Sequence, residues 1–146
     1  MFVSLALVLS QPATVRISIT ADGSASPCVD RRPPSDQRKF RSPAVDAAIE
    51  RVARAMNDSE LACLFSNALP NTLDTTLVAF AEAPEPPDSF VITGDIPAMW
   101  LRDATNQVLP YMRYLKQEPR LARMVAGLLR RETAQVLSDP YANAHT

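Results

Sequence analysis

The sequence predicts an all-α fold, and three observations carry that reading. Apolar residues recur at helical spacing in several windows. Serine, aspartate and proline stand where those windows begin and end. The stretches between them are irregular and polar, with room for one short strand. Helices joined in this way suit a barrel of helical hairpins whose functional residues sit on the loops.

The first helix opens at Ser42-Pro43. Serine can accept a backbone N–H bond at a helix start, and proline suits the first helical position. Val45, Ala48, Ile49, Val52 and Met56 form its apolar face, opposite Asp46, Glu50, Arg51 and Arg54, and the helix ends near Asn57. Asp58 caps a second helix with Leu61, Leu64, Phe65 and Ala68 as its stripe, and Pro70 stops it. Residues 71–77 are rich in short hydroxyl and amide side chains, which compete with helical hydrogen bonding, so this segment reads as irregular or extended. Residues 81–88 form a loop with three prolines and three acids. Ser89 to Thr93 suggest a short strand, and Gly94-Asp95-Ile96-Pro97 a turn. Asp103 is placed to cap a third helix, which Pro110 should bend. A fourth helix opens near Pro119 and runs to about Leu137. Its face is Leu121, Met124, Val125, Leu128 and Leu129, with Arg120, Arg123, Arg130 and Arg131 largely off it.

Upstream of Ser42 the chain reads as a leader or disordered segment over residues 1–41, with residues 42–146 as the folded part. Met1 to Ser10 resemble the apolar core of a secretory signal. A basic residue before the core and a clear cleavage site are both lacking, so a short buried strand or a misassigned start fits as well. The compartment is therefore unknown, with the secretory pathway or the outside of the cell open.

Composition narrows the function class. The 146 residues hold 15 basic and 16 acidic side chains, for a formal charge of −1. No basic field for nucleic acid follows from this balance. Three isolated glycines argue against a phosphate loop. No apolar run reaches transmembrane length. Cys28 and Cys63 lie 35 residues apart with a single histidine, His145, in the chain, so a metal site is not expected. A disulfide and two free thiols are both open. No cofactor is implied, and a monomer is expected.

The unusual stretch is Thr93-Gly94-Asp95-Ile96-Pro97-Ala98-Met99-Trp100-Leu101-Arg102-Asp103. It gathers the one tryptophan, an arginine and two aspartates between a strand and a helix, with Asn106 and Gln107 close behind. Sugars need this mixture. A pyranose has an apolar face that stacks on an aromatic ring, and its hydroxyls need carboxylate, amide or guanidinium partners in fixed geometry. The same residues also admit a plainer reading. Trp100 can be a core residue, Asp103 a helix cap, and Arg102-Asp103 an ordinary ion pair. Spacing identifies no pair of catalytic carboxylates.

Residues 89–111, Ser89 through Tyr111, resemble the signature of glycoside hydrolase family 125. Asn67 through Thr76 resemble a second block of that family, and Asp139-Pro140-Tyr141-Ala142-Asn143-Ala144 a third, in the family's order. The resemblance implies an (alpha/alpha)6 barrel of which this chain holds the first few helices. It implies metal-independent, inverting removal of terminal mannose from alpha-1,6 linkages, with a mannose-containing oligosaccharide as partner. Inversion needs one carboxyl to protonate the leaving oxygen and another to activate water, about 6.5–9.5 Å apart. In the family both lie downstream of these blocks, so no residue here is assigned as acid or base. Asp95, Trp100, Arg102 and Asp103 are expected in the subsite for terminal mannose, with Tyr141 and Asn143 beside them. A twelve-helix barrel needs several hundred residues, so this chain resembles an amino-terminal portion that is inactive alone. A non-catalytic helical module that binds sugar or protein is the alternative.

Overall fold

The computed structural model describes residues 28–146. The signal-like stretch lies outside the described residues. Among them stand four α-helices and one two-stranded sheet. The molecule is thus mostly helical, and the all-α expectation is corrected by a small antiparallel hairpin.

Helix α1 (Pro43–Ala55) starts as its residues dictate. Ser42 is extended, its hydroxyl accepts from the Val45 N–H, and Pro43 occupies the first turn. The same hydroxyl donates to Glu118 at 2.6 Å, and that carboxylate also accepts from the Ala44 N–H at 3.1 Å. The start of α1 is therefore capped partly from a residue 76 positions away. Val45, Ala48 and Ile49 face the core.

Helix α2 (Ser59–Ala68) is capped by Asp58, which accepts from the Glu60 and Leu61 N–H groups. Its stripe is only partly used. Phe65 packs against the core, yet Leu61 and Leu64 are 52% and 54% exposed. Helix α2 lies mainly on α1, so the rest of its apolar face has no cover within the described residues.

After Pro70 the chain makes one wide π-helical turn, Thr72–Thr76, before strand β1 (Leu77–Phe80). The threonines drive this. Thr75 donates to the Asn71 carbonyl at 2.7 Å and Thr76 to the Thr72 carbonyl at 3.3 Å, the back-bonding that disturbs regular helix. Strand β2 (Ser89–Val91) pairs with β1, Leu77 opposite Val91 and Phe80 opposite Ser89, with an irregularity between Leu77 and Ala79.

Helix α3 (Leu101–Val108) begins two residues before Asp103, with Trp100 at its cap position and no side-chain cap. The expected role of Asp103 as cap is thus corrected. It sits in the first turn, where a negative charge meets the positive end of the helix dipole. Pro110, which has no N–H for a helical bond, does not merely bend α3. The chain tightens into a 3-10 turn over Leu109–Tyr114.

Helix α4 (Pro119–Ser138) buries Leu121, Met124, Val125, Gly127 and Leu128. Leu129, expected on the same face, is 55% exposed. Gly127 allows a close approach of α4 to the start of β2, since a Cβ there would stand 2.7 Å from the Asp88 carbonyl carbon and from Ser89 Oγ. The Ser89 hydroxyl donates to the Met124 carbonyl at 2.8 Å, which fastens β2 to α4. Tyr111 is buried and donates to the Leu69 carbonyl at 2.7 Å. Burial pushes its hydroxyl up to about 12, so it stays a donor.

Residues 28–41, part of the segment expected to be loose, are fastened to the helices. Cys28 and Cys63 form a disulfide. Asn67 donates to the Val29 carbonyl at 2.9 Å and accepts from the Arg31 N–H at 2.8 Å. Arg32 reaches Asp74 at 2.8 Å and Asp46 at 2.9 Å. Phe40 is buried, edge-on to Phe80, with the Arg120 guanidinium 4.2 Å above its ring. Periodicity cannot see such a segment, because its order comes from single charged and aromatic anchors and not from a repeating face.

Candidate functional site

The site is built on the link between β2 and α3. Gly94 turns the chain with φ 127°, a conformation that favours glycine. Met99, wholly buried, pins the link to the core. Its backbone N–H donates to the His145 carbonyl at 2.8 Å, and the His145 N–H donates back at 2.9 Å. On the other side the Ile92 N–H donates to the Thr76 carbonyl at 3.0 Å. Gln107 Nε2 donates to the Ile92 carbonyl at 3.1 Å and to Thr76 Oγ1 at 3.4 Å. The link is therefore bonded to parts of three separate sequence blocks: Thr76 at the end of 67–76, Ile92, Met99 and Gln107 within 89–111, and His145 just after 139–144.

The candidate side chains are held on this frame with few partners of their own. Asp95 is exposed and accepts from the Thr93 hydroxyl at 3.2 Å. Arg102 is 82% exposed and reaches only its neighbour Asp103, at 3.2 Å. Trp100 is half-buried. Tyr141 is 94% exposed, its N–H donating to Asp139 at 3.0 Å, and Asn143 is exposed. The Met99–His145 bridge joins the residue just before Trp100 to the chain just after the Tyr141–Asn143 block. A half-buried indole next to an underused guanidinium and two carboxylates can stack on a ring and exchange hydrogen bonds with hydroxyls.

A groove of about 800 Å³ lies elsewhere, between Arg41, Asp46, Glu50 and Glu118. Its acids are already engaged, Asp46 by Arg32 and Glu118 by the cap of α1. Among the described residues no group of three or more His, Cys, Asp or Glu side chains stands where it could hold a metal ion. No helix there is long and apolar enough to cross a membrane.

Sequence reasoning missed two residues near the turn. Glu132 on α4 stands 2.9 Å from the Thr105 hydroxyl on α3, and burial pushes its carboxyl above the ordinary glutamate range. Gln135 Nε2 approaches the Met99 sulfur at 3.8 Å. Both lie late on a long helix of ordinary amphipathic pattern, and no motif marks them.

A family model described as metal-independent alpha-mannosidase (GH125) matches residues 58–146, a range that includes all three blocks. The meiotically up-regulated gene 157 protein of Schizosaccharomyces pombe is 42% identical over 114 residues. The alignment covers 78% of this chain and 22% of that protein, so the chain spans under a quarter of the relative's length. With the family match over more than half of its residues, the chain belongs to glycoside hydrolase family 125, the metal-independent alpha-mannosidases.

Proposed function

We propose that the turn around Trp100 and Asp103 is part of the subsite for a terminal mannose in an inverting exo-alpha-1,6-mannosidase. One observation supports this most: Asp95, Arg102 and Asp103 retain hydrogen-bonding capacity beside a half-buried indole, on the link bonded to parts of the three blocks. In this reading the indole takes the apolar face of the sugar. The carboxylates accept from its hydroxyls, and Arg102 donates to ring or hydroxyl oxygens. Tyr141 and Asn143 complete the same wall. The helices α1 to α4 are the first part of an (alpha/alpha)6 barrel.

Neither the acid nor the base is assigned among these 146 residues, so the reading concerns binding of the terminal sugar. Titration with mannose, followed by backbone amide shifts at residues 93–107 and 139–145, tests the binding. Shifts confined elsewhere would defeat the subsite. Release of mannose from an alpha-1,6-linked disaccharide by the purified chain would show that the acid and base are present after all.

A second reading is a non-catalytic helical module that binds sugar or a protein partner. The exposed Leu61 and Leu64 on α2, with Leu137 on α4, favour it. A self-contained module of that kind would bind its partner with Trp100 replaced by alanine.

A further inference from the structure

Asn57-Asp58-Ser59 is a motif that the mannoside reading leaves unused. It has the form Asn-x-Ser with a residue other than proline in the middle, the acceptor pattern for N-linked glycans. The pattern is short, and a chain with five asparagines can hold it by chance. Its weight therefore comes from where the fold puts it and from the compartment the fold implies.

The motif forms the link between α1 and α2. Met56 and Asp58 are extended, at φ −83°, ψ 131° and φ −98°, ψ 112°, and the chain bends at Asn57. Asp58 turns its carboxylate into α2, accepting from the Glu60 and Leu61 N–H groups at 2.9 and 3.0 Å. Asn57 and Ser59 are both exposed. Asparagine also occurs in such links for its turn-forming amide alone, but that plainer role needs no hydroxyl at Ser59.

The link lies at the far end of the helical hairpin. Arg31 and Arg32 are neighbours in the chain. The Arg31 N–H donates to Asn67 in the last turn of α2, and Arg32 pairs with Asp46 in the first turn of α1. Those two ends therefore lie together, with the Asn57 link at the other end. The ten residues of α2 rise about 15 Å, which separates Asn57 from the turn at Thr72–Thr76 that bonds to Gln107. A glycan on Asn57 thus starts at the end away from the candidate wall.

The disulfide bears on the compartment. Cys28 is joined to Cys63, which lies on α2 with Ser59. Disulfides form and persist in oxidising compartments, the lumen of the endoplasmic reticulum among them. N-linked glycans are added in that same lumen. The motif and the disulfide call for one location on independent grounds, and Met1 to Ser10 have the apolar composition of a secretory-signal core.

We infer that this chain is made in the secretory pathway and carries an N-linked oligosaccharide on Asn57. The donor is an oligosaccharide carried on a membrane polyisoprenoid pyrophosphate. The Asn57 amide nitrogen bonds to the anomeric carbon of the first sugar. That carbon's bond to the pyrophosphate oxygen breaks, the lipid pyrophosphate leaves with the electron pair, and the amide nitrogen releases one proton. No oxidant or reductant is needed. The inference stands apart from the mannoside reading, and neither depends on the other.

The test is peptide mapping of the full chain purified from the cells that make it, after peptide N-glycosidase treatment in heavy-oxygen water. That enzyme converts a glycosylated asparagine to aspartate and leaves a free asparagine unchanged. The expected result is Asn57 recovered as labelled aspartate. Asn57 recovered only in its unaltered form would overturn the inference. In the same cells, Asn57→Gln and Ser59→Ala should each abolish one step of gel mobility, while Ser59→Thr, which keeps the acceptor pattern, should retain it. A step that survives Asn57→Gln or Ser59→Ala would also overturn it. The glycan is added as the chain is made, so mobility is read even where a variant fails to fold.

Discussion

Two aspartate-bearing turns in this molecule behave in opposite ways. In the π-helical turn Thr72–Thr76, Asp74 is 3% exposed and is gripped by the Arg32 guanidinium through two hydrogen bonds, with Arg38 at 3.8 Å. In the turn from Gly94 to Asp103, Asp95 is exposed and Asp103 half-buried, with only a nearby hydroxyl and a neighbouring arginine as partners. Both turns are rigidly held by backbone hydrogen bonds. The first uses its charge to tie the strap at residues 28–41 to the helices. The second keeps its charge available. Burying a charge requires a partner, and a charge so engaged has little capacity left for a ligand. A candidate site is therefore better sought among well-positioned polar groups with open capacity than among the most buried ones.

The comparison can be broken at the structural turn first. Replacing Asp74 with alanine leaves Arg32 partly buried without its main partner. Loss of one member of a buried pair costs about 3–5 kcal/mol, and urea unfolding should show a loss of that order. A variant that unfolds at the wild-type midpoint would mean that the strap is held by other contacts.

Reduction of Cys28–Cys63 acts on the same strap from its other end. The bridge spans 35 residues, and cross-links of this kind contribute about 2–4 kcal/mol. A clear drop in melting temperature with a thiol reductant is expected, and a Cys28→Ser/Cys63→Ser protein should melt at the reduced value. Equal melting with and without reductant would show that the loop closure does not matter to stability.

Gly127→Ala probes the contact between α4 and the start of β2, the strand that leads into the second turn. The new Cβ would meet the backbone of Asp88, which cannot move aside as a side-chain end could. Overpacking typically costs about 1–3 kcal/mol. A separation of α4 from β2 should appear as altered amide shifts at Ser89 and Val91, and unchanged shifts with unchanged stability would contradict the close packing.

The smallest stability effects should come from the second turn itself. Arg102→Ala and Asp103→Ala should alter unfolding by no more than about 0.5 kcal/mol, as for other open surface positions. In contrast, each should weaken mannose binding by about tenfold or more if it removes a charge-assisted hydrogen bond. Stability loss comparable to that of Asp74→Ala would erase the distinction between the two turns.

Local residue pattern was enough for several elements. Ser42-Pro43 and Asp58 mark the starts of α1 and α2 because capping depends on a few adjacent atoms. Leu121, Met124, Val125 and Leu128 mark the buried face of α4 because helical spacing alone sets which residues share a side. The composition of the 93–103 stretch also marks the residues proposed as the sugar wall. Other features depend on contacts between distant residues, which no window of sequence contains. Arg32 and Phe40 looked like parts of a loose leader, yet Asp74 and Arg120, both far along the chain, order them. Asp103 looked like a cap, but the Met99–His145 bridge and the packing of Met99 set where α3 begins. The α2 stripe was legible as apolar, while its partial exposure was not, since periodicity gives a face and says nothing about what covers it. Sequence determined the helices, their caps and the residues of the turn, because those follow from short-range sterics and hydrogen bonding. Tertiary structure alone decided which charges are consumed and which stay open, because that depends on the partners that folding brings within a few ångströms.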